Sequence, residues 1–201
     1  MATTIQVAQA TETEQQAIDA FIADVKAIIA ARGETDATLE EMAVRMRTLI
    51  AHPAVRASTH TAVGNAHTPD AARHKRVPLY TDETGLTLVR ARFGPEALTP
   101  IHDHGTWGIV GVYCGRDRYQ RWQRLDAGTD EGEARLTMID ERVLEPGDVA
   151  IIPPVPQDIH AQGGEGEATD EFVLFGKNAM NIRRLYFDPT TNTAHRQPAR
   201  D

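Results

Sequence analysis

Two histidines one residue apart stand out in the segment TPIHDHGTWGIVGVYCG, residues 99–115. In a β-strand alternate side chains project from the same face, so His102 and His104 would point together and Asp103 would point away. Two imidazoles on one face can reach a single ion at the metal–nitrogen distance of about 2.0–2.1 Å. The pair alone does not distinguish half of a metal site from two polar side chains on a strand.

A third histidine ends a second segment, GDVAIIPPVPQDIH, which runs from Gly-Asp through a short apolar stretch and a proline-containing turn to His160. If this stretch lies beside the first, three neutral imidazoles converge on one ion. They would leave its opposite side open for substrate and for oxygen or water. The same three ligands suit iron in oxygen chemistry and zinc in hydrolysis, so the ligand set by itself leaves the metal open.

The elements that must position these histidines begin with two helices. Residues 11–51 carry apolar side chains at helical spacing in two stretches, each opening with a Thr-x-x-Glu pattern that favours a helix N-terminus. Thr11 and Thr38 are the predicted caps, and Gly33 is the predicted stop between the helices. Neither helix can bury its apolar stripe alone, so both should pack on the rest of the chain. Residues 52–78 show no periodicity and are predicted to be a long irregular connection.

From about Leu79 the chain becomes a series of short β-type runs separated by Gly, Pro and Asp. Many short strands with frequent turn signals predict an all-β sandwich or barrel. We therefore expect one structural domain, in which residues 1–78 form N-terminal helices and a connecting loop packed on a metal-binding barrel of residues 79–201. The runs are LTLVRARF, GIVGVYC, YQRWQRL, ARLTMID, DVAIIPP, EFVLFG and IRRLYF.

Charge and composition argue against several classes of protein. The 201 residues carry a formal net charge of -8, which disfavours a nucleic-acid-binding surface. Cys114 is the only cysteine, so neither an intramolecular disulfide nor a cysteine-based zinc cluster can form. The N-terminus lacks the pattern of a signal peptide, and no apolar run approaches the length of a membrane span. We expect a cytoplasmic protein with no nucleic-acid or membrane partner.

The two histidine segments resemble the metal motifs of a known family. TPIHDHGTWGIVGVYCG is similar to the first metal motif of the cysteine dioxygenase type I family, the thiol dioxygenases of the cupin superfamily. It is closest to the 3-mercaptopropionate dioxygenase branch, which shares the Trp-Gly pair. GDVAIIPPVPQDIH resembles the second motif, and GKNAMNIRRLYFDP resembles the closing strand. The resemblance covers most of the chain, including the two N-terminal helices.

What the resemblance implies is a cupin double-stranded β-helix barrel with a small N-terminal α-helical cap. It also implies an Fe(II) ion on His102, His104 and His160, with a thiolate and dioxygen at the open face of the ion. A purified sample could carry zinc, nickel or manganese instead, because neutral imidazoles bind all of these ions.

The sequence departs from the family at a late strand. There the family carries a Ser-x-His-x-Tyr run that forms a hydrogen-bond relay beside the iron. The matching residues here are Glu171, Val173 and Phe175, which share one face of the strand by alternation. The expected pocket therefore has two apolar walls and one carboxylate in place of the relay. Glu171 is a candidate general base or substrate-amine contact if it is buried beside the metal, and an ordinary edge carboxylate otherwise.

A second departure lies in LYTDE. Tyr80 matches a family tyrosine and is a candidate catalytic residue, whereas Asp82 replaces the arginine with which cysteine dioxygenases bind the substrate carboxylate. An aspartate there would repel a carboxylate and favour an amine or a neutral group. Other arginines on candidate strands could supply a carboxylate contact: Arg90, Arg92, Arg118 and Arg121.

Two aromatic residues complete the candidate pocket. Phe93 and Trp107 stand where family aromatics line the pocket, and simple core packing explains them equally well. The remaining histidines match no compact ligand pattern and are expected to be solvated. They are His52, His60, His67, His74 and His195.

These features predict a non-haem Fe(II) dioxygenase that adds both atoms of O2 to the sulfur of a small thiol other than cysteine. Its partners would be the small-molecule substrate and O2, and the chain would be a monomer or a homodimer. Two alternatives stay open. One is a metal-binding cupin that senses or binds a ligand without oxygenase activity. The other is a metal-dependent lyase, isomerase or hydrolase with Glu171 as its base.

Overall fold

Three helices open the chain: α1 (Ala2–Arg32), α2 (Asp36–Ala51) and α3 (Pro53–Ala57). The computed structural model describes residues 2–58, 74–178 and 181–196, with side chains from residue 14 and, after the first gap, from residue 76 onward. Among the described residues, no helix combines the length and the apolar character that crossing a bilayer requires.

The predicted helix caps are wrong, and the predicted stop is confirmed. Helix α1 already begins at Ala2, so position 11 lies within it. Helix α2 is capped by Thr35, whose Oγ1 accepts the Thr38 N–H while Thr38 Oγ1 accepts the Thr35 N–H at 2.8 Å. Thr38 therefore takes the place that Glu holds in the usual capping box. The observed cap, Thr35, lies three residues before the predicted cap, Thr38. Gly33 ends α1 with φ of 69°.

Replacing Gly33 with alanine should destabilise the protein modestly. Nothing lies within 4 Å of an added Cβ, so the cost comes from the left-handed backbone alone, about 1–2 kcal/mol. Urea unfolding would measure this difference. The exposed neighbour Glu34 is a suitable control, since Glu34→Ala should change the free energy of unfolding by less than about 0.5 kcal/mol. An equal loss in both variants would contradict the backbone explanation.

In the described part of the chain, twelve strands form two antiparallel sheets. One sheet has the order β1-β2-β10-β4-β8, and the other has the order β6-β12-β11-β3-β9-β5-β7. The strands are β1 (His74–Thr81), β2 (Thr87–Phe93), β3 (Ile101–His102), β4 (Gly108–Cys114), β5 (Asp117–Arg124), β6 (Gly132–Glu133), β7 (Leu136–Leu144), β8 (Val149–Ile152), β9 (His160–Gly164), β10 (Thr169–Phe175), β11 (Leu185–Asp188) and β12 (Thr193–Arg196).

The two faces of the five-stranded sheet are both buried. Its inner face packs against the other sheet, where Val173 and Phe175 share a core with Tyr119 of β5. Its outer face packs against α1 and α2, where Phe172 and Leu174 join the helical apolar stripes. Strand β10 is therefore buried along its whole length. The predicted all-β architecture with a small helical N-terminal part is confirmed.

Two contacts fix the helices on the barrel. Met46 and Ile50 of α2 lie over Gly111 of β4, where an added Cβ would come within 2.6 Å of Met46 Cγ. The absence of a side chain at this position is what lets the helix approach. On α1 the buried carboxylate of Glu14 forms an ion pair with the buried Arg90 of β2.

Regular structure occupies both ends of the stretch predicted to be an irregular connection. Helix α3 occupies Pro53–Ala57, and β1 begins at His74 rather than near Leu79. Pro78 within β1 hides the strand in the sequence, because proline inside an apolar run argues against a central strand. The strand is in fact an edge strand, with a register shift between Pro78 and Tyr80. His60 and His67 lie outside the described residues.

Candidate metal centre

The neighbouring strands β3 and β9 position the three histidines. His102 pairs directly with His160 in the antiparallel register, so their side chains leave the sheet on the same face. His104 follows β3 in the turn that leads to β4. Each of the three side chains is only 2% exposed. The sequence prediction that these three residues come together agrees with this placement.

The three imidazole rings form a nearly equilateral triangle. Their centroids are 4.8 Å apart for His102–His104, 4.8 Å for His102–His160 and 4.7 Å for His104–His160. The Nε2 atoms of His104 and His160 lie 2.7 Å apart. All ligand atoms lie within 4.8 Å of one another, and among the described residues this is the one such group of three or more.

The hydrogen bonds of His102 show which nitrogen is available. Its Nδ1 lies 2.8 Å from the Pro100 carbonyl oxygen, so Nδ1–H donates to this carbonyl and Nε2 carries the free lone pair. His102 Nε2 is buried and has no hydrogen-bond partner. A backbone carbonyl that orients an imidazole in this way is a common feature behind a metal-bound histidine.

The protonation of the three histidines also suits metal binding. Burial lowers the pKa of each imidazole, and for His160 it lowers the pKa to about 3. The positive charges of Arg184 and Arg76 lower the pKa of these rings further. All three imidazoles are thus neutral at physiological pH, which is the form that binds a metal ion. Three neutral nitrogen donors and an orphaned Nε2 fit a divalent transition metal.

Two aspartates hold the loop that carries the histidines. Asp158 Oδ2 accepts the backbone N–H of His104 at 2.9 Å and that of Gly105 at 2.7 Å. Asp103 points away from the ring triangle, as alternation predicts, and its Oδ1 accepts the Leu185 N–H at 2.8 Å. These bonds tie the turn after β3 to the segment before β9 and to β11.

Aromatic rings enclose the triangle. The Phe175 ring lies 4.7 Å from His104, and its role in a substrate pocket stays a prediction. Tyr186 stacks on His102 at 5.8 Å, and Tyr119 meets His160 edge-on at 5.5 Å. Sequence reasoning missed both tyrosines. Each is the cross-strand neighbour of a ligand-bearing segment, which only the order of the strands reveals.

Glu171 is buried inside the barrel. Its carboxyl group is fully buried, and Oε1 accepts the Gln162 side-chain N–H at 2.6 Å. Gln162 lies two residues after the ligand His160 on β9, and side chains two apart share one face of a strand. Glu171 therefore packs beside the strand that carries this histidine. Burial, and then the charge of Asp117, raises the pKa of Glu171 well above its usual range. Val173 lies between Glu171 and Phe175 on the same inward face, in the inner core.

Tyr80 and Asp82 form a separate group with α1. The Tyr80 hydroxyl donates to Asp82 Oδ2 at 3.0 Å, and Lys26 Nζ lies 3.4 Å from the same carboxylate oxygen. Tyr80 packs against the core under the helices. The structure does not bring this pair to the histidines, and the catalytic role of Tyr80 and the pocket role of Asp82 stay predictions.

The other two aromatic candidates are both core residues. Trp107 packs in the core under the helices, beside Gly176, where an added Cβ would come within 2.4 Å of its ring. Phe93 is fully buried in the inner core of the barrel. A pocket role for either residue stays a prediction.

Three of the candidate arginines already bind carboxylates. Arg90 pairs with Glu14, Arg92 with Asp170 and Arg118 with Glu141. Arg121 is different, because it lies opposite His160 in the register of β5 and β9. The charges that act on the histidines belong instead to Arg184 and Arg76, neither of which was singled out from the sequence. Arg184 is buried, and Arg76 shares a cross-strand row with Glu171 through Ala91 of β2.

The barrel is similar to several solved structures. An oxalate oxidase in complex with glycolate is 24% identical, with a TM-score of 0.46 over 63% of this chain and 60% of that chain. A cupin-like protein from Thermotoga maritima is 21% identical, with a TM-score of 0.39 over 62% and 84% of the two chains. The DMSP lyase DddQ from Ruegeria pomeroyi is 15% identical, with a TM-score of 0.48 over 87% and 98%.

Sequence identity to each of these three structures is below 25%, and none of the TM-scores reaches 0.5. The chain spans 56% to 60% of the length of the oxalate oxidase chains that it matches. No protein-family model matches the chain. The chemistry of the site therefore has to be argued from its own residues.

Proposed function

We propose that the protein is a metal-dependent enzyme whose ion is bound by His102, His104 and His160. The observation that carries this proposal is the convergence of three buried, neutral imidazoles, one of which has a buried Nε2 with no partner. An empty cluster of three buried histidines would leave polar nitrogens unsatisfied at a cost of about 1–3 kcal/mol each. An ion bound among the rings would satisfy His102 Nε2 and would separate the His104 and His160 Nε2 lone pairs, which otherwise face each other at 2.7 Å.

We propose further that the ion is Fe(II) and that the reaction adds O2 to the sulfur of a small thiol other than cysteine. When bound, Fe(II) on three neutral nitrogens supplies open coordination positions for a thiolate and for dioxygen. The family resemblance of both histidine motifs supports this reading. The missing Ser-His-Tyr relay argues against cysteine as the substrate.

The charges around the centre favour an anionic substrate. The buried Arg184 and the half-buried Arg76 both act on the histidines with positive charge, and a cation shielded from water attracts an anion more strongly than a solvated one. Asp82 bonds to Tyr80 and contacts Lys26. The preference for an amine that its sequence position suggested therefore loses its support. A thiol with a carboxylate at its other end fits these charges best.

A metal-dependent lyase, isomerase or hydrolase is the second candidate. The buried carboxyl group of Glu171 accepts a hydrogen bond from Gln162, two residues along β9 from the ligand His160. The raised pKa of this carboxyl group changes the role predicted for it. Burial favours the protonated form of this group, and a protonated carboxyl group donates a proton and does not abstract one. In this second candidate reaction Glu171 therefore donates a proton, whereas the sequence predicted that it would accept one.

Oxygen consumption by anaerobically purified protein would test the dioxygenase proposal. After metal analysis, an oxygen electrode would follow uptake with 3-mercaptopropionate, its methyl ester, cysteamine and cysteine. We expect iron in the protein and uptake of one O2 per thiol with 3-mercaptopropionate, with at least about tenfold less for the uncharged ester, equivalent to about 1.4 kcal/mol.

Two results would contradict parts of this proposal. Zinc in the protein together with no thiol-dependent oxygen uptake would overturn the dioxygenase activity and leave the metal centre intact. Equal uptake with the acid and its ester would overturn the preference for an anionic substrate. Protein stripped of metal by a chelator provides the blank for both measurements.

A further inference from the structure

Four polar side chains are buried together inside the barrel, beside the metal centre. They are Asp117 and Tyr119 of β5, Gln162 of β9 and Glu171 of β10, and none is more than 6% exposed. Each has one oxygen atom that is buried without a hydrogen-bond partner: Asp117 Oδ2, the Tyr119 hydroxyl, Gln162 Oε1 and Glu171 Oε2. Buried polar atoms are nearly always paired, so four orphans in one region call for a physical explanation.

Consecutive residues of β9 hold the two carboxyl groups. Gln162 Nε2 donates to Glu171 Oε1 at 2.6 Å, and the Gly163 backbone N–H donates to Asp117 Oδ1 at 2.8 Å. Tyr119 is the cross-strand partner of Gln162, and its ring also meets His160. The group of four therefore begins at Gln162, two residues after the metal ligand His160 on β9, and extends into the barrel.

The charges around the two carboxyl groups do not balance two ionised carboxylates. Asp170 on β10 adds a third acid but pairs with Arg92 of β2, and Arg142 of β7 lies over the Tyr119 ring at 5.9 Å. Arg76 of β1 is the cation whose charge lowers the pKa of Glu171. Among the described residues, no ion pair includes Asp117 or Glu171. Two unpaired carboxylates in a buried region would be strongly unfavourable.

We propose that Asp117 and Glu171 retain at least one proton between them at neutral pH, so that Glu171 faces the metal centre as a proton donor. This role of Glu171 rests on the proposed metal centre, whereas the retained proton does not. Burial raises the pKa of Asp117 to about 7, and burial together with the charge of Asp117 raises the pKa of Glu171 well above its usual range. Carboxyl pairs that share a proton because both cannot ionise are known in acid–base catalysis.

The proton transfer balances without a further reactant. The O–H bond of Glu171 breaks, and a new bond forms between this proton and a basic atom of the bound substrate or product. The pair then gains one negative charge, which the guanidinium of Arg76 offsets. A proton from solvent restores the pair after product release. Asp117 acts through Glu171 and is a positioning residue, since it keeps the proton on the pair.

Stability as a function of pH would test the retained proton. The folded protein holds this proton above the ordinary carboxyl pKa of about 4, whereas the unfolded chain releases it. The folded state therefore loses stability as the pH rises from about 5 towards 7. We expect the unfolding equilibrium constant of the wild type to rise about tenfold per pH unit relative to the Asp117→Asn, Glu171→Gln double variant. Urea unfolding of the full chain would measure this difference.

The matched control is Glu145→Gln, which removes an exposed carboxylate and should keep the wild-type slope. The buried histidines contribute equally to all variants, so the difference between slopes isolates the pair. A double variant with the wild-type slope would overturn the proposal. If the double variant does not fold, infrared spectroscopy of the wild type and of Glu171→Gln at pH 7 decides instead. The wild type should show a protonated carboxyl band that shifts in D2O, and its absence would overturn the proposal.

The infrared spectra also separate this inference from the proposed activity. The Asp117→Asn variant should lose or shift the band of the protonated Glu171 carboxyl, because the second acid no longer holds the proton there. An unchanged band would show that Asp117 does not influence the proton on Glu171 and that its role is only structural. Neither readout needs turnover, so both remain informative if the protein does not oxidise thiols.

Discussion

Replacing His160 with alanine should abolish stable metal binding and any activity that depends on it. In the variant only two imidazoles remain to bind the ion, that of His102 at the end of β3 and that of His104 in the turn that follows. Loss of residues that merely orient metal ligands typically lowers metal affinity 10–100-fold. Loss of a ligand should therefore lower it by more than about 100-fold. Metal analysis after anaerobic purification, followed by titration with Fe(II) and Zn(II), would measure the change.

The matched control for this variant is His195→Ala. His195 is exposed on β12, and its ring stacks on Tyr186 at 5.9 Å, on the side away from His102. It should keep the metal content and affinity of the wild type. His160→Gln preserves more of the buried volume and serves to separate loss of a ligand from loss of packing. Full metal content in the His160→Ala protein would contradict the assigned ligand set.

Replacing Asp158 with alanine should weaken both the fold and the metal centre. Its carboxylate accepts two backbone N–H groups in the histidine-bearing turn, that of the buried His104 and that of the half-buried Gly105, and the alanine variant removes the partner of both. A buried unsatisfied group costs about 1–3 kcal/mol and a half-buried one less, so we expect a loss of about 2–4 kcal/mol in the free energy of unfolding. The turn also orients His104, so metal affinity should fall about 10–100-fold. Urea unfolding and metal titration would measure the two effects.

Two further variants sharpen this prediction. Asp158→Asn retains an oxygen acceptor and should recover part of both losses. Asp148→Ala removes an exposed turn carboxylate that accepts one backbone N–H, from Glu145, and should cost no more than about 1 kcal/mol. Unchanged metal affinity in the Asp158→Ala protein, alongside a loss of stability, would show that the turn does not control the orientation of His104.

The candidate metal ligands could be found from the sequence because they lie in short local patterns. Strand alternation predicted that His102 and His104 point together, and the Gly-Asp to His segment supplied His160. In the structure β3 ends at His102, and it is the turn after β3 that carries His104 to the other two rings. Alternation does hold on β10, where Val173 and Phe175 share the inner core.

The rest of the site depends on which strands are neighbours, and the sequence does not display that. Arg76 reaches the site because β1 pairs with β2 and β2 pairs with β10, which puts Arg76 and Glu171 in one row. Tyr186 reaches His102 because β11 pairs with β3. Both pairings join segments that are far apart in the chain. The carboxyl pair of Asp117 and Glu171 likewise needs β5, β9 and β10 to meet inside the barrel.

The order of strands in the five-stranded sheet has a consequence for how the chain is made. Its central strand, β10, is the last of the five in the chain, and both β2 and β4 pair with it. During synthesis the core under α1 and α2 therefore lacks Phe172 and Leu174 until β10 has left the ribosome. Until then, β2 and β4 expose open edges that can pair with other chains. A newly made chain thus depends on completion of β10 before it is protected from aggregation.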